Sequence, residues 1–246
     1  MAQQQAAGHT LTEGQQAKVA ASVAQLRQAL ADHGTVTYSC SLGAESIVLT
    51  DLIWTQAPAI DIFTIDTGRL HEQTYSLLEL LERRYQRRMR LVHPQAAAVE
   101  AWVAAHGING FYGSLAARRA CCDLRKVEPF ARAVKGFGAW VTGVRREQSA
   151  ERAQIPPVEF DAANGLYKVS PLLDWTHDDV WTYIRAKGLP YNVLHDEGFP
   201  SIGCSPCTRA VQPGEDNRAG RWWWENTDSR ECGLQSGNRP AAPTPA

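Results

Sequence analysis

The chain has 246 residues, 44% hydrophobic and 21% charged, with a formal net charge of −1. That length buries a sizeable core in one large α/β domain or two small ones, and the near-zero charge excludes the broad basic field of a nucleic-acid binder. Met1–Gln16 is polar without an apolar h-region and no run reaches a membrane span, so the expectation is a cytoplasmic protein with no membrane partner, whose cysteines bind metal or react rather than form disulfides.

Residues 1–10 read as disordered. Leu11 to His33 carries Val19, Val23, Leu26 and Leu30 at helical spacing and stops at Gly34. Thr35–Ser39 is β-prone, Cys40–Ser46 is a small-residue loop, and Ile47–Gln56 is helical again. Strand, small loop and helix is the setting in which backbone N–H groups and a helix N-terminus hold an anion. The loop lacks both the Walker A ending and the G-x-G-x-x-G spacing, so an ordinary strand-to-helix turn is an equal reading. Asp61–Ile65 is a second strand with Asp66–Thr67–Gly68 at its end. Leu70–Tyr85 is a helix, Met89–Val92 a strand and Gln95–His106 a helix. This alternation predicts βαβ units and a parallel sheet, with ligands at the carboxyl ends of its strands.

Gly107–Gly113 interrupts the pattern. Ser114–Val134 reads as a helix bent or ended by Pro129, and Ala139–Thr142 as a strand closed by Gly143. Arg145, Arg146 and Arg152 fall in a polar loop and Pro156–Pro157 in an irregular segment. Leu166–Val169 reads as a short strand at a sheet edge. Thr176 and Asp179 form a capping box for a helix over Asp178–Lys187, stopped by Gly188 and Pro190. From Tyr191 the chain is loop-rich, and Thr208–Arg230 has no periodicity, the mark of a lid or a disordered segment. The domain boundaries that result are a disordered 1–10, an α/β domain over 11–207, a mobile segment over 208–235 and a disordered tail over 236–246.

Six cysteines carry the chemistry. Cys121–Cys122 and the Cys204-x-x-Cys207 pair are about eighty residues apart, and four thiolates in two pairs are a ligand set for one metal centre. Neighbouring side chains on a helix diverge by about 100°, whereas a zinc with bonds of about 2.3 Å needs its thiolates about 3.8 Å apart. The vicinal pair therefore favours a 4Fe–4S cluster, in which each thiolate takes its own iron, over zinc. The spacing matches no common ferredoxin pattern, and zinc or no metal remains open on residues alone. Lys126 lies four residues after Cys122, on nearly the same helix face. There it is a counter-charge to the cluster, a contact to a bound phosphate or sulfate, or a solvated lysine. Cys40 falls in the small-residue loop. Cys232 follows Arg218, Arg221 and Arg230 in a segment with no apolar periodicity. Cationic neighbours stabilise a thiolate, so it reads as a nucleophile, against the alternative of an incidental exposed thiol. Trp222–Trp223–Trp224 in so polar a segment is expected to dock on the domain or on a partner.

Several stretches together resemble the sulfonucleotide reductases, and among them the bacterial assimilatory adenylylsulfate (APS) reductases. They are Ser41–Leu42–Gly43–Ala44–Glu45, Ile65-Asp66-Thr67-Gly68-Arg69-Leu70-His71, Cys121–Cys122 through Lys126, and Gly143-Val144-Arg145-Arg146. Further on come Asp174-Trp175-Thr176 through Trp181, Gly203 through Arg209, Gly214-Glu215-Asp216 through Trp224, and Glu231-Cys232-Gly233-Leu234. The resemblance spans about residues 35–234. It implies a single-domain, parallel-sheet, Rossmann-like fold of the adenine nucleotide α-hydrolase type, with a loop like that of the ATP pyrophosphatases and a mobile C-terminal segment. It implies reduction of APS to sulfite and AMP through an S-sulfocysteine on Cys232. The 4Fe–4S cluster on Cys121, Cys122, Cys204 and Cys207 would be structural and electrostatic, working with Lys126. Ser39, Ser41, Gly43, Ile65, Asp66, Thr67, Gly68, Gly143, Arg152, Arg218 and Arg221 would bind substrate. Thioredoxin, or a glutaredoxin-like dithiol donor, would be the external partner, and a homo-oligomer is compatible with all of this. One departure is Gln235, where the family motif carries a histidine; glutamine hydrogen-bonds but bears no charge. The competing readings are PAPS reduction, an iron–sulfur ATP pyrophosphatase that thiolates tRNA, and a zinc-stabilised nucleotide-binding module with no catalysis.

Overall fold

The computed structural model describes residues 10–149 and 152–225. Cys232, Gln235 and the 236–246 tail therefore lie outside the described residues, as does nearly all of the 1–10 stretch. Helix α1, Glu13–His33, opens on a complete capping box: the Thr12 side chain accepts from the Gln15 N–H at 3.2 Å and Gln15 returns the bond to the Thr12 N–H at 3.1 Å. The alternation that follows builds β1 (Val36–Ser39), α2 (Ala44–Gln56), β2 (Asp61–Ile65), α3 (Glu72–Tyr85), β3 (Arg90–Val92) and α4 (Ala96–His106). Next come α5 (Leu115–Cys122), α6 (Glu128–Val134), β4 (Ala139–Val141), β5 (Val158–Asp161), β6 (Leu166–Val169) and α7 (His177–Ala186).

The strands form one six-stranded sheet in the order β3-β2-β1-β4-β6-β5. All pairs are parallel except β5 with β6. Alternation along the strands loads both faces. Val36, Tyr38, Ile62, Ala139 and Val141 join the core under α1, α2, α3 and α7. Phe63, Val92, Trp140 and Leu166 join a second core under α6. From β1 the chain winds outward to β2 and β3, then returns to the other side of β1 as β4. That reversal opens a crevice at the carboxyl ends of β1 and β4, the place where ligands bind in such sheets.

Leu166–Val169 is not the edge strand the sequence suggested. β6 pairs on both sides, and the edge is β5, in a stretch read as irregular because of Pro156–Pro157. The hairpin signal was present: Val158 and Phe160 alternate with Glu159 and Asp161 ahead of Asn164–Gly165, and Gly165 adopts φ 72°.

At the amino edge of the sheet β4 starts against the end of α1. A Cβ on Gly138 would lie 2.2 Å from the His33 carbonyl oxygen, a backbone clash that no rotamer relieves. Gly138→Ala is expected to cost about 1–3 kcal/mol, seen by calorimetry as a fall of several degrees in Tm, with the chemistry at the opposite edge unchanged.

Candidate active site

β1 ends at Ser39 and the chain turns through 40–43 into α2. The turn depends on Leu42, a non-glycine residue at φ 59°. Ser46, in the first turn of α2, accepts from the Ser41 N–H at 3.1 Å and lies 2.9 Å from the Ser41 hydroxyl. Gly43 is the N-cap and supplies no side-chain oxygen, so the first amides of α2 keep their capacity to bind an anion. Cys40 is buried beneath this turn, 3.7 Å from the Thr50 hydroxyl, and burial pushes its thiol pKa up. It is a packing residue.

The facing wall comes from β4. A Cβ on Gly143 would lie 3.2 Å from the Glu45 Cβ, so a glycine there lets the loop after β4 close on α2. Glu45 accepts from Arg145 Nε and from Gln148 Nε2, both at 2.9 Å. Gln148 in turn accepts from Arg152, which is buried. Arg152 is thus tied through Gln148 and Glu45 to the first turn of α2. The sequence marked Arg152 but not the Glu45–Arg145–Gln148 relay that places it.

The loop after β2 forms the third wall. Asp66 accepts from the Gly68 N–H at 2.8 Å and from the Tyr75 hydroxyl at 2.7 Å. Gly68 is at φ 70°, which favours glycine, and Arg125 Nη1 lies 3.5 Å from where a Cβ would stand, at ordinary contact distance. Thr67 is fully buried, and its hydroxyl lies 3.2 Å from Cys204 Sγ. Its carbonyl accepts from Arg125 Nη1 at 2.7 Å. The Ser205 N–H donates to the Arg69 carbonyl at 2.8 Å. The loop that begins at Ile65 therefore joins the carboxyl edge of the sheet directly to the cysteines.

The vicinal pair sits where α5 passes into a π turn, Asp123–Val127, before α6. Pro129 has no N–H and its ring would crowd the carbonyl four residues back in an α-helix. The wider turn before it relieves that clash, with the Glu128 N–H reaching the Asp123 carbonyl. The helix expected over Ser114–Val134 is thus continuous but widened, and Pro129 neither ends nor breaks it. Arg125 and Lys126 lie in the widened turn, so Arg125 follows Cys121 by the four residues that separate Lys126 from Cys122.

The fold brings all four cysteines together. Cys207 lies within electrostatic reach of Cys204, Cys122 and Cys121; burial and these thiols push its pKa up to about 12, against the opposing effect of Arg221. Burial also raises Cys121, which Arg125 opposes. Among the described residues no three His, Cys, Asp or Glu side chains are grouped tightly enough to hold a single ion. Cys207 is in reach of the other three thiols and Cys121 of Cys204, so the four are the donor set open to a metal centre. The surroundings suit an anionic one. Arg118 faces Cys122, and Arg69 and Arg125 face Cys121. Among the described residues, the buried Nε atoms of Arg125 and Arg221 and the indole N–H groups of Trp222 and Trp224 meet no acceptor. Donors left unmatched around four thiols are what an acceptor-rich sulfur cluster would satisfy.

Of the expected substrate residues, Ser39, Ser41, Gly43, Ile65, Asp66, Thr67, Gly68, Gly143 and Arg152 line this edge or its supporting loops. Arg221 does not join them: it is buried beside Cys207, donates to Ser201 at 3.3 Å and covers the Trp222 ring. Arg218 lies half-buried on the 208–221 loop, which closes on itself where Arg209 donates to the Gly220 carbonyl at 3.0 Å. Trp222 is buried below Arg118 and Arg221, and its backbone N–H donates to the Cys207 carbonyl at 3.1 Å. Two cavities, of about 620 and 590 Å³, lie elsewhere, one among α1, α2, α3 and α7 and one at the amino edge of the sheet. Their lining carries none of the cysteines, loop serines or arginines of the carboxyl edge described above, and that open edge is the better candidate on chemistry.

The family described as the phosphoadenosine phosphosulfate reductase domain matches residues 35–210. An adenosine 5'-phosphosulfate reductase of Allochromatium vinosum is 51% identical over 215 residues, 87% of this chain and 84% of that one. Another, of Burkholderia cepacia, is 50% identical over 224 residues, 91% and 90% of the two chains. Among solved structures, the phosphoadenylyl-sulfate (PAPS) reductase of Candida auris in its phosphate complex is similar with a TM-score of 0.67 at 27% identity, covering 82% of this chain and 98% of that one.

Proposed function

Because the chain belongs to the phosphoadenosine phosphosulfate reductase family, we propose that it is an APS reductase that takes its electrons from a protein dithiol such as thioredoxin. The observation that carries the reading is the hydrogen-bond contact between Thr67, on the nucleotide edge of β2, and Cys204, in the cysteine centre. It couples an anion-binding sheet edge to a four-thiol site, a combination that neither a plain nucleotide binder nor a zinc module requires. APS is favoured over PAPS because the two relatives at about half identity carry the APS name.

The proposed reaction has two steps. The Cys232 thiolate attacks the sulfate sulfur of APS, a sulfur–sulfur bond forms, and the bond to the bridging oxygen breaks with its electrons leaving on AMP. A donor thiolate then attacks Cys232 Sγ. Sulfite departs with the electron pair of the broken bond, and a mixed disulfide remains. The donor's second thiolate attacks the donor sulfur of that disulfide and frees the Cys232 thiolate, so the donor leaves oxidised by two electrons. The sulfate sulfur is reduced by the same two.

Three anionic oxygens around the sulfur repel a thiolate, so fixed positive charge has to face the transition state. Lys126 is the proposed source, with Arg152 holding the substrate's phosphate side and the amides of α2 the remainder. Cys121, Cys122, Cys204 and Cys207 would hold the 4Fe–4S cluster. When bound, the cluster supplies a fixed charge and a cross-link between α5 and the 204–207 turn, and no electrons to substrate. Lys126→Ala is expected to slow adduct formation by about 10²- to 10³-fold, while cleavage of preformed adduct by thioredoxin changes little. Single-turnover mass measurements separate the two steps, and equal slowing of both would sink the assignment.

The overall test is the intact mass of anaerobically purified protein mixed with APS, with PAPS in a parallel sample and no thioredoxin. A sulfonate-sized increase mapped to Cys232, with AMP released, is the expected result. No adduct with either nucleotide on protein that keeps its metal would overturn the reading.

A further inference from the structure

Resting on that reading, in which Cys232 carries the sulfonate, we infer that the exposed aromatic face built by Ile108, Tyr112 and Trp223 is the docking surface for the protein dithiol that discharges it. These side chains are 67%, 40% and 39% exposed, beside a fully buried Phe111. They form one patch. Tyr112 meets Trp223 at 6.4 Å and Trp224 at 4.4 Å, and the two tryptophans meet at 4.9 Å. Arg69 joins Ile108 to them, donating to its carbonyl at 2.6 Å while lying over the Phe111 ring.

The patch is rigidly mounted. The Tyr112 hydroxyl donates to the Pro206 carbonyl at 2.7 Å, so the face is fixed to the turn that carries Cys204 and Cys207. Aromatic side chains with one wet end are the residues enriched where proteins meet. A patch this small suits a transient redox encounter rather than a permanent subunit contact.

The tether gives the occupant. Arg118 grips Glu225 with two parallel hydrogen bonds of 2.9 and 3.0 Å, both side chains almost wholly buried. This anchor lies two residues beyond Trp223, and Cys232 lies seven residues beyond the anchor. Seven extended residues reach about 24 Å at most. Cys232 therefore stays within that radius of Glu225, two residues from the patch. A dithiol protein resting on the patch brings its reactive sulfur into the same radius. A small dithiol has no use for the surface, and that difference supplies the test.

Ile108→Glu and Ile108→Glu/Trp223→Ser, purified with their metal, are charged with APS and the adduct on Cys232 is quantified by mass. Release of sulfite is then timed with thioredoxin or with excess dithiothreitol. Expected are an unchanged adduct yield, an unchanged rate with dithiothreitol, and a fall of about tenfold or more in the second-order rate with thioredoxin for the double variant. Unchanged thioredoxin rates in both variants would overturn the inference. So would equal changes with both reductants, which would mean that the chain's own C-terminal residues use the face. Absence of adduct in the unsubstituted protein would be a different failure, that of the reaction itself.

Discussion

Cys232→Ser is expected to abolish turnover, with residual activity below about one-thousandth, and to leave the metal content and visible spectrum intact. A serine hydroxyl at neutral pH is almost entirely protonated and lacks the nucleophilicity of a thiolate, so the first step loses its attacking atom rather than a supporting contact. On the proposed reading Cys121, Cys122, Cys204 and Cys207 would hold the metal without a fifth thiol, and the segment leading to position 232 is held at Glu225 by Arg118 whatever occupies that position. The two readouts are therefore independent. Intact mass after mixing with APS should show no adduct and no AMP, while iron per chain stays at the wild-type value. A colourless, iron-depleted variant would make Cys232 a ligand and remove it from the chemistry.

Much of this was legible in the chain. The β1 and β2 strands, the loops at their carboxyl ends and the two cysteine pairs follow from local signals: hydrophobic alternation, small residues before a helix, and thiol spacing. Three features were not. The π turn arises because Pro129 lacks an N–H and crowds the helix, and the accommodation is made by residues before it that look ordinary in sequence. The β5 edge is short and follows two prolines, so its Val158–Phe160 alternation was outweighed. In sequence Arg221 looks like Arg218, both cations ahead of Cys232. Only the packing of the Arg221 guanidinium against the Gly203 backbone separates them: a Cβ on Gly203 would lie 2.4 Å from Arg221 Nη2. Contacts between residues distant in sequence, such as Thr67 with Cys204, leave no local trace. Arg125 does leave one: it follows Cys121 by the same four residues that separate Lys126 from Cys122.

Cys207→Ser should have the second largest effect, and it separates the metal alternatives. Without a metal, burial and three neighbouring thiols hold Cys207 in its neutral form, and Arg221 compensates only in part. A cation bound by thiolates reverses that balance, so the site favours ionised sulfur only when it is loaded. Serine does not ionise in its place, since its hydroxyl is far less acidic than the thiol it replaces. The expected results are loss of most of the iron, loss of visible absorbance, a Tm lowered by at least about 5 °C because the metal binds only the folded chain, and an adduct rate down by about a hundredfold or more. Metal analysis of the unsubstituted protein gives the complementary number: about four irons per chain for a 4Fe–4S cluster, or about one zinc for a tetrahedral site. One zinc, bound without colour and lost in Cys207→Ser, would replace the cluster. The Thr67 hydroxyl would then neighbour a zinc thiolate, and the unmatched donors of Arg125, Arg221, Trp222 and Trp224 would need another acceptor.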